Sequence, residues 1–222
     1  LLEIRQGWFD SIRSSLEVLT ISSNNITESP GGLQLENLRV LDVSYNNFGY
    51  LQPDFLWNLR NLTKLWIEGI GISHIYDRSF EGLSSLRSVR MAHNSLRQLP
   101  RNLFATNPQL GFVDVSHNHL TELNLNTFNS SISSIYEIMA DYNSISSLDS
   151  QIIDQAESLV YLLLSSNLCV NRNFYGVKND RESVREELDT CFTNFGFIEC
   201  FYFEFAENSY SCMMNIFNPT GR

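Results

Sequence analysis

Residues Leu86 to Leu110 read LRSVRMAHNSLRQLPRNLFATNPQL, and they open with the template L-x-x-L-x-L-x-x-N-x-L, with Val and Met in two of the Leu positions. Successive copies of this template start 22 to 25 residues apart. A period so constant decides the fold, because self-similarity at a fixed spacing is the signature of stacked repeats. The seven copies begin at Leu16, Leu38, Leu62, Leu86, Leu110, Ile135 and Leu159.

Each copy predicts a short strand followed by a turn. The apolar residues of the strand alternate and point inward, and the strands are expected to stack in parallel about 4.8 Å apart. The asparagine after the strand should bond to the backbone of adjacent coils, because an unpaired buried amide would cost about 1–3 kcal/mol. These residues are Asn24, Asn46, Asn94, Asn118, Asn143 and Asn167.

The outer half of each coil also has a recurring apolar position. A large apolar residue recurs six or seven residues before a repeat begins, and a stacked column of such side chains would fill the wide side of the coil. All of them are therefore interpreted as core residues. They are Phe9, Phe55, Phe80, Phe104, Phe128 and Ile152.

The third repeat departs from the template at Ile70, within Gly69-Ile70-Gly71-Ile72, where asparagine is expected. Isoleucine can occupy the inward position, but it cannot make the amide hydrogen bonds. The sequence therefore predicts a local change in the turn or curvature, and a functional origin for the change stays open.

The full pattern L-x-x-L-x-L-x-x-N-x-L-x-x-L-x-x-x-x-F-x-x-L-x-x-L, well matched from Leu86 to Leu110, resembles the typical 24-residue class of animal extracellular leucine-rich repeats. The chain is similar over about residues 1–169 to the ectodomains of Toll and Toll-like receptors, to Slit-type guidance proteins and to secreted leucine-rich-repeat immune proteins of insects. The resemblance implies recognition of proteins, peptides, glycans or lipids on the concave or lateral surface. The motif is specific for the fold and weak for the ligand.

The expected fold is α/β: a curved horseshoe solenoid with a parallel β-sheet on its concave face and a disulfide-bonded C-terminal cap. Residues 1–168 are assigned to the solenoid, as seven recognisable repeats and a partial N-terminal one, and residues 169–222 to the cap. Within the cap, Asn179 to Leu188 has helix-forming character, with acidic residues early. Phe197 to Glu207 alternates as a strand would.

The four cysteines, Cys169, Cys191, Cys200 and Cys212, all lie in the cap region. Four cysteines allow three pairings. A zinc site would favour a closely spaced cysteine pair, which the sequence lacks, and free buried thiols are the other alternative. The resemblance implies first-to-third and second-to-fourth bonds, Cys169–Cys200 and Cys191–Cys212. Disulfides would place the protein in an oxidising compartment.

Three glycosylation sequons agree with an extracellular location, since such sites are modified in secreted proteins. They begin at Asn25, Asn61 and Asn129, each just outside the inward-facing columns. We expect a secreted protein or a cell-surface ectodomain. No run of 18 apolar residues is present, so the sequence predicts no transmembrane helix.

The repeat register predicts which side chains face outward from the concave sheet. Trp66 and Phe112 are the notable ones, because Trp, Tyr and Arg are over-represented among residues that dominate binding energy. The predicted ligand face spans repeats 3 to 7; the alternative is that these side chains are scattered and binding uses the lateral edge or the cap. The face comprises Lys64, Trp66, Arg90, His93, Phe112, Asp114, His117, Met139, Tyr142 and Tyr161.

His93 and His117 occupy adjacent rungs, and His119 follows two residues later. A pH switch or a metal site is conceivable there. Ordinary solvated histidines are the favoured interpretation, since no carboxylate and second histidine converge at a typical ligand spacing. The sequence predicts no metal and no cofactor.

Charge and motifs exclude other classes. The net charge is -10, which disfavours nucleic acid as a partner because phosphate binding needs a basic face. No phosphate loop, nucleophile elbow or zinc-protease motif occurs, so an enzyme is not expected. The predicted function is extracellular recognition of another protein or peptide, with glycans and lipids less favoured, in innate immunity or as a receptor. The alternative is a structural, adhesion or guidance protein, with homodimerisation as an option.

Overall fold

The computed structural model describes residues 3–5, 7–28, 32–52 and 54–198. Its strands are short, mostly three residues each, and one opens every repeat. In chain order they are β1 (Val18–Thr20), β2 (Val40–Asp42), β3 (Lys64–Trp66), β4 (Ser88–Arg90), β5 (Phe112–Asp114), β6 (Glu122–Leu123), β7 (Glu137–Met139), β8 (Ser147–Leu148), β9 (Tyr161–Leu163) and β10 (Asn173–Tyr175).

Eight of these strands form one sheet in the order β1-β2-β3-β4-β5-β7-β9-β10. The first seven are parallel and strictly in register, so that Leu41 pairs with Leu65 and Leu65 with Val89. A second, two-stranded parallel sheet joins β6 to β8. Repeats stacked in chain order confirm the predicted solenoid with its parallel sheet.

The asparagine ladder is formed as predicted at Asn46 and at the asparagines after it, whereas the Asn24 amide donates to the Ile21 and Ser22 carbonyls of its own turn. The Asn118 side chain donates to the carbonyls of Met91 (3.0 Å), Val115 (3.1 Å) and Ser116 (3.1 Å), and its Oδ1 accepts from the Leu96 N–H at 3.0 Å. It therefore ties its own turn to the preceding coil. Asn46, Asn94, Asn143 and Asn167 repeat this arrangement.

The phenylalanine column is also confirmed in the middle of the solenoid. The rings of Phe80 and Phe104 stack with centroids 5.6 Å apart, and those of Phe104 and Phe128 with centroids 5.9 Å apart. Phe55 is buried as well, but it packs edge-on against Phe48 at 6.1 Å. Phe9, in the first coil, is only half-buried.

The coil at Ile70 changes its hydrogen bonding, as predicted from the missing asparagine. Elsewhere the residue after the asparagine donates to the preceding coil, as His119 N–H does to the Leu96 carbonyl (2.8 Å). At this rung the bond runs the other way, from the Gly49 N–H to the Ile70 carbonyl at 3.0 Å. Ile70 itself is fully buried. Apolar packing replaces the amide here, and the backbone re-pairs around Gly49 and Gly71, both with positive φ.

Helices are few and lie outside the main sheet. They are α1 (Leu125–Phe128), α2 (Gln151–Gln155), α3 (Arg181–Glu187) and α4 (Asp189–Ile198), with 3-10 turns at Asn129–Ser131 and Val177–Asn179. The helix predicted between Asn179 and Leu188 is confirmed by α3, whose N-terminus is capped by the Asp180 side chain. The predicted strand from Phe197 is wrong at its start, because α4 extends through Ile198; the remainder lies outside the described residues.

The last parallel strand is covered by β10, which pairs antiparallel with β9. The Asn173 side-chain oxygen accepts from the Leu164 N–H (3.0 Å), and the Asn171 side-chain oxygen accepts from the Ser166 N–H (2.7 Å). The equivalent N–H groups of the preceding coils donate to carbonyls of the next coil. Phe174, Val184 and Leu188 are buried against the apolar interior of the coil. The end of the sheet is thus closed by side chains that follow the repeats, while the division of the chain at residues 168 and 169 stays a prediction.

The disulfide pairing expected from the resemblance is wrong. Cys169 bonds to Cys191, with their Cα atoms 5.2 Å apart, and not to Cys200. The short segment from β10 to α3 returns the chain to the last coil, so that the first turn of α4 brings Cys191 against Cys169. Cys191 is then no longer available for Cys212. Both Cys200 and Cys212 lie outside the described residues.

Within the described residues, no helix has the length and hydrophobicity that spanning a lipid bilayer requires.

Candidate functional site

The concave sheet brings together the residues that the register predicted. The first and third residues of each strand face away from the core, because the middle residue points inward. Parallel pairing aligns Trp66 with Arg90 and Arg90 with Asp114. Phe112 lies on the strand next to Arg90. Three adjacent rungs therefore form the centre of the face.

Arg90 is held between two aromatic rings. Its guanidinium carbon lies 5.4 Å from the centroid of Trp66 and 5.5 Å from that of Phe112. Both rings are half-buried and Arg90 is exposed. Cation–π attraction at this distance holds a long side chain in place before any ligand arrives. We call Trp66, Arg90 and Phe112 the aromatic–arginine triad.

Asp114 is placed at the predicted position, but it is only 7% exposed. Its Oδ1 accepts hydrogen bonds from the Ser116 N–H (3.0 Å) and the Ser116 hydroxyl (2.7 Å). Asp42 makes the equivalent bond to the Ser44 N–H. The carboxylate therefore holds the strand end and supplies negative charge, and it offers a ligand little surface.

Three further carboxyl groups surround Asp114 and were not singled out by the sequence. Burial raises the pKa of Glu68, Glu137 and Asp141, and the charge of Asp114 raises each further. Arg90 opposes the shift at Glu68 and Glu137. The register placed these residues on the concave side, but desolvation depends on neighbours that no linear pattern identifies.

These shifts predict a pH dependence of stability. Because the folded state binds protons more tightly than the unfolded chain at these groups, their contribution to the free energy of unfolding is expected to fall as the pH rises above about 4. A Glu68→Gln, Glu137→Gln, Asp141→Asn variant should therefore gain stability over the wild type at neutral pH, and the gain should shrink towards pH 4. Thermal unfolding across this range measures the gain.

The matched control for this prediction is Glu157→Gln, an exposed carboxyl outside the sheet. A stability difference between the triple variant and the wild type that stays constant with pH would contradict the prediction.

The remaining strand residues of the predicted face lie further apart. Met139 is half-buried on β7. Lys64 opens β3 and Tyr161 opens β9; both are exposed, and four strand spacings separate them, roughly 19 Å at ~4.8 Å each. Tyr161 packs edge-on with Tyr175 of β10, 6.2 Å away. The structure therefore concentrates the predicted face around the triad and leaves Lys64 and Tyr161 at its margins.

His93, His117 and Tyr142 form a separate stack beside the sheet. Each precedes a ladder asparagine, and each adopts a positive φ between 51° and 56°. The rings of His93 and His117 stack with centroids 4.3 Å apart, and those of His117 and Tyr142 also at 4.3 Å. All three side chains are exposed. They lie along the edge where the parallel strands end, so they extend the triad's face sideways.

The same column contains Gly69, and here the glycine provides space. Its φ of 57° matches that of its non-glycine neighbours in the column, so conformation alone does not require glycine. A Cβ at Gly69 would lie 2.8 Å from the Tyr45 ring. Tyr45 thus rests on the Gly69 backbone at the other end of the stack, a contact between neighbouring coils that the repeat pattern does not reveal.

No group of three or more histidine, cysteine, aspartate or glutamate side chains in the described ranges is arranged to hold a metal ion. The stacked rings of His93 and His117 instead contact each other and Tyr142.

The predicted glycosylation sites Asn25, Asn61 and Asn129 are all exposed. The Asn61 amide donates to the Glu36 carbonyl at 2.8 Å, and the Asn129 amide donates to Asn102 and to the Asn126 carbonyl. Their accessibility is compatible with modification, which stays a prediction.

The similarity of this chain to known proteins lies in its repeats. Models of the leucine-rich repeat match residues 15–35, 37–59 and 60–120. Fibromodulin from Oryctolagus cuniculus is 32% identical over 146 residues, which cover 55% of this chain and 97% of that relative. The chain belongs to the leucine-rich-repeat family. Its other relatives include podocan from Mus musculus, 30% identical over 72% of this chain and 25% of podocan.

Solved leucine-rich-repeat structures share the fold. Internalin C2 from Listeria monocytogenes superposes with a TM-score of 0.59 and 20% identity, covering 75% of this chain and 68% of the internalin. TLR13, in its complex with ssRNA13, superposes with a TM-score of 0.64 and 21% identity over 75% of this chain and 23% of TLR13. At such identities the likeness concerns the solenoid alone.

Proposed function

We propose that this leucine-rich-repeat protein is an extracellular recognition module that binds another protein or peptide on its concave face, in innate immunity or as a receptor. The observation that carries the proposal is the aromatic–arginine triad. Trp and Arg dominate binding energy when they are held in place and become desolvated on contact. A preordered arginine also loses less side-chain entropy on binding than a free one.

The location of the site supports binding over catalysis. The triad lies on short strands that are each paired on both sides, and it is flanked by the carboxyl groups of Glu68, Glu137 and Asp141. Their charge favours a partner segment with basic residues, because complementary charge steers association. The acids surround Asp114, whose Oδ1 is already hydrogen-bonded within the strand turn. We therefore assign the face no enzymatic role.

An extracellular location is supported by the Cys169–Cys191 disulfide and by the family. Disulfides persist in oxidising compartments. The matched relatives fibromodulin and podocan are extracellular leucine-rich-repeat proteins. Glycosylation at Asn25, Asn61 and Asn129 belongs to the same proposal.

The second candidate function is a structural or adhesion role. It is favoured by the sequence similarity of this chain to fibromodulin and to keratocan from Mus musculus. Both candidates use the concave face, and they differ in the partner. A signalling ligand or microbial component supports the first function, and a matrix component or a second copy of this chain supports the second.

The test is affinity capture from the extracellular fluid of the source tissue on three immobilised proteins: the wild type, a Trp66→Ala, Arg90→Ala variant, and a matched control. The control, Trp57→Ala with Arg97→Ala, removes the same residue types from exposed positions off the concave sheet. The wild type and the control should capture the same partner. For the concave variant, affinity should be about 1000-fold lower, since two such residues at ~2 kcal/mol each together contribute ~4 kcal/mol.

Equal capture and equal dissociation constants for all three proteins would show that the triad does not bind the partner. Binding would then be sought on the edge stack of His93, His117 and Tyr142.

A further inference from the structure

A polar groove of about 630 Å³ lies on the edge of the solenoid opposite the histidine stack, where the parallel strands begin. All ten residues that line it are polar or charged. It spans several coils, and the triad and the predicted ligand face take no part in it. The residues that matter below are Asn37, Arg39, Asn61, Thr63, Ser85 and Arg87.

The groove is built from side chains anchored to the neighbouring coil. The Asn37 amide donates to the Ser14 carbonyl at 2.6 Å, and the Asn61 amide donates to the Glu36 carbonyl at 2.8 Å. The Thr63 hydroxyl donates to the Arg39 carbonyl at 2.9 Å. These bonds fix the side chains and leave the amide and hydroxyl oxygens to accept hydrogen bonds from a ligand.

Two arginines supply the charge. Arg39 and Arg87 each precede a strand, β2 and β4, and one coil separates them, so their backbones lie roughly 10 Å apart at ~4.8 Å per strand. Arg39 approaches Glu17, the one carboxylate among the residues that line the groove, only at 4.0 Å, and both side chains are more than 60% exposed. Arg87 forms no ion pair among the described residues. Both guanidinium groups are thus available to anions.

We propose that this groove binds a linear acidic polysaccharide that carries one carboxylate or sulfate per disaccharide. A disaccharide is about as long as the separation of the two arginines, so successive anionic groups can meet Arg39 and Arg87 in turn. The sugar hydroxyls between them meet Thr63, Asn61 and Ser85. Planar guanidinium groups are well suited to carboxylate and sulfate oxygens.

The lining disfavours other ligands. No aromatic side chain lines the groove, so it has no platform on which a nucleic-acid base could stack. A peptide strand would need free backbone groups, but the carbonyls at this edge are already paired. The Arg39 carbonyl accepts from Thr63 and Lys64, and the Arg87 carbonyl accepts from Gly111 and Phe112. The groove therefore offers side-chain chemistry suited to a saccharide.

The acidic saccharide in the groove could be a free polysaccharide or a glycan attached to Asn61, whose side chain lines the groove. Protein produced in a host that adds no N-glycans separates these sources, because it retains the Asn61 side chain and carries no glycan. Binding by the unglycosylated protein but not by glycosylated protein would identify the chain's own glycan as the occupant. Equal binding by both would identify an external polysaccharide. Either pattern supports a saccharide groove.

The experiment measures the affinity of the unglycosylated protein for four probes by calorimetry: chondroitin sulfate hexasaccharide, hyaluronan hexasaccharide, neutral chitohexaose and an oligoglutamate peptide. The two acidic sugars should bind, and affinity should fall with added salt. Chitohexaose should bind at least about tenfold more weakly. Arg39→Gln and Arg87→Gln should each reduce affinity for the acidic sugars by about tenfold.

The matched control is Arg97→Gln with Arg101→Gln, which removes two exposed positive charges from outside the groove and should leave affinity nearly unchanged. The Trp66→Ala, Arg90→Ala variant should also keep full sugar affinity, so this result is independent of the concave-face function. Absence of binding, an equal loss in the Arg97/Arg101 control, or tighter binding of oligoglutamate would each overturn the proposal.

Discussion

Replacing Asn94 by alanine should lower the free energy of unfolding by about 3–5 kcal/mol, because two backbone N–H groups would be left buried without acceptors. The Asn94 side-chain oxygen accepts from Ile70 at 3.1 Å and from Ile72 at 3.2 Å. Its amide group donates to the carbonyls of Ile67, Met91 and Ala92. Truncation would remove all five bonds from a side chain that is almost fully buried.

Asn94→Ala should lower the free energy of unfolding by more than Asn118→Ala does. Asn118 accepts from one backbone N–H, that of Leu96, whereas Asn94 serves two in the coil that lacks its own ladder asparagine. Chemical denaturation of both variants measures the difference. Asn47→Ala is the control, since Asn47 is exposed beside the ladder and should change stability by no more than about 0.5 kcal/mol. Equal losses for Asn94→Ala and Asn47→Ala would contradict the structural role given to the ladder.

Truncating Phe104 to alanine should cost about 3–5 kcal/mol, through the cavity left in the outer half of the coil. Phe104 is fully buried between the rings of Phe80 and Phe128. Because neighbouring coils are tied by the asparagine ladder and the sheet, they have little freedom to collapse into the space. Denaturant unfolding, with the transition slope compared between variants, measures the loss.

Two further variants separate packing from ring stacking. Phe104→Leu retains most of the apolar volume, so it should lower the free energy of unfolding clearly less than Phe104→Ala. The stability still lost in Phe104→Leu reports the ring contacts with Phe80 and Phe128. Phe9→Ala, at the half-buried end of the column, should be milder than Phe104→Ala. If Phe9→Ala and Phe104→Ala cost the same, the column would not act as a core.

The register-based predictions succeeded where each residue's environment repeats. Asn118 and Phe104 behave as their copies in other coils do, because a constant period gives each copy the same neighbours. The placement of Trp66 beside Arg90 follows from the same register. The ligand face as a whole stays a prediction, because exposure and rigidity indicate a surface and do not identify a partner.

Predictions from the sequence were wrong or incomplete where the repeat does not set a residue's neighbours. The pairing of Cys169 with Cys191 depends on how α3 and α4 fold back on the last coil. The spacing of the cysteines along the sequence does not reveal that path. Asp114 lies at the predicted position, yet it is buried by its bonds to Ser116. Side-chain burial of this kind is set by local contacts across the sheet.

By itself the sequence determined the solenoid, its strands, its asparagine ladder and the order of side chains along the concave face. These features follow from a period of about 24 residues, since equal spacing forces equal residues into line. Only the tertiary structure decided that Arg90 is held between Trp66 and Phe112, that His93, His117 and Tyr142 stack, that Arg39 and Arg87 share a groove, and that Cys169 bonds to Cys191. Each of these depends on distances between neighbouring coils or on the path of the chain beyond the repeats, which exist only once the coils are stacked.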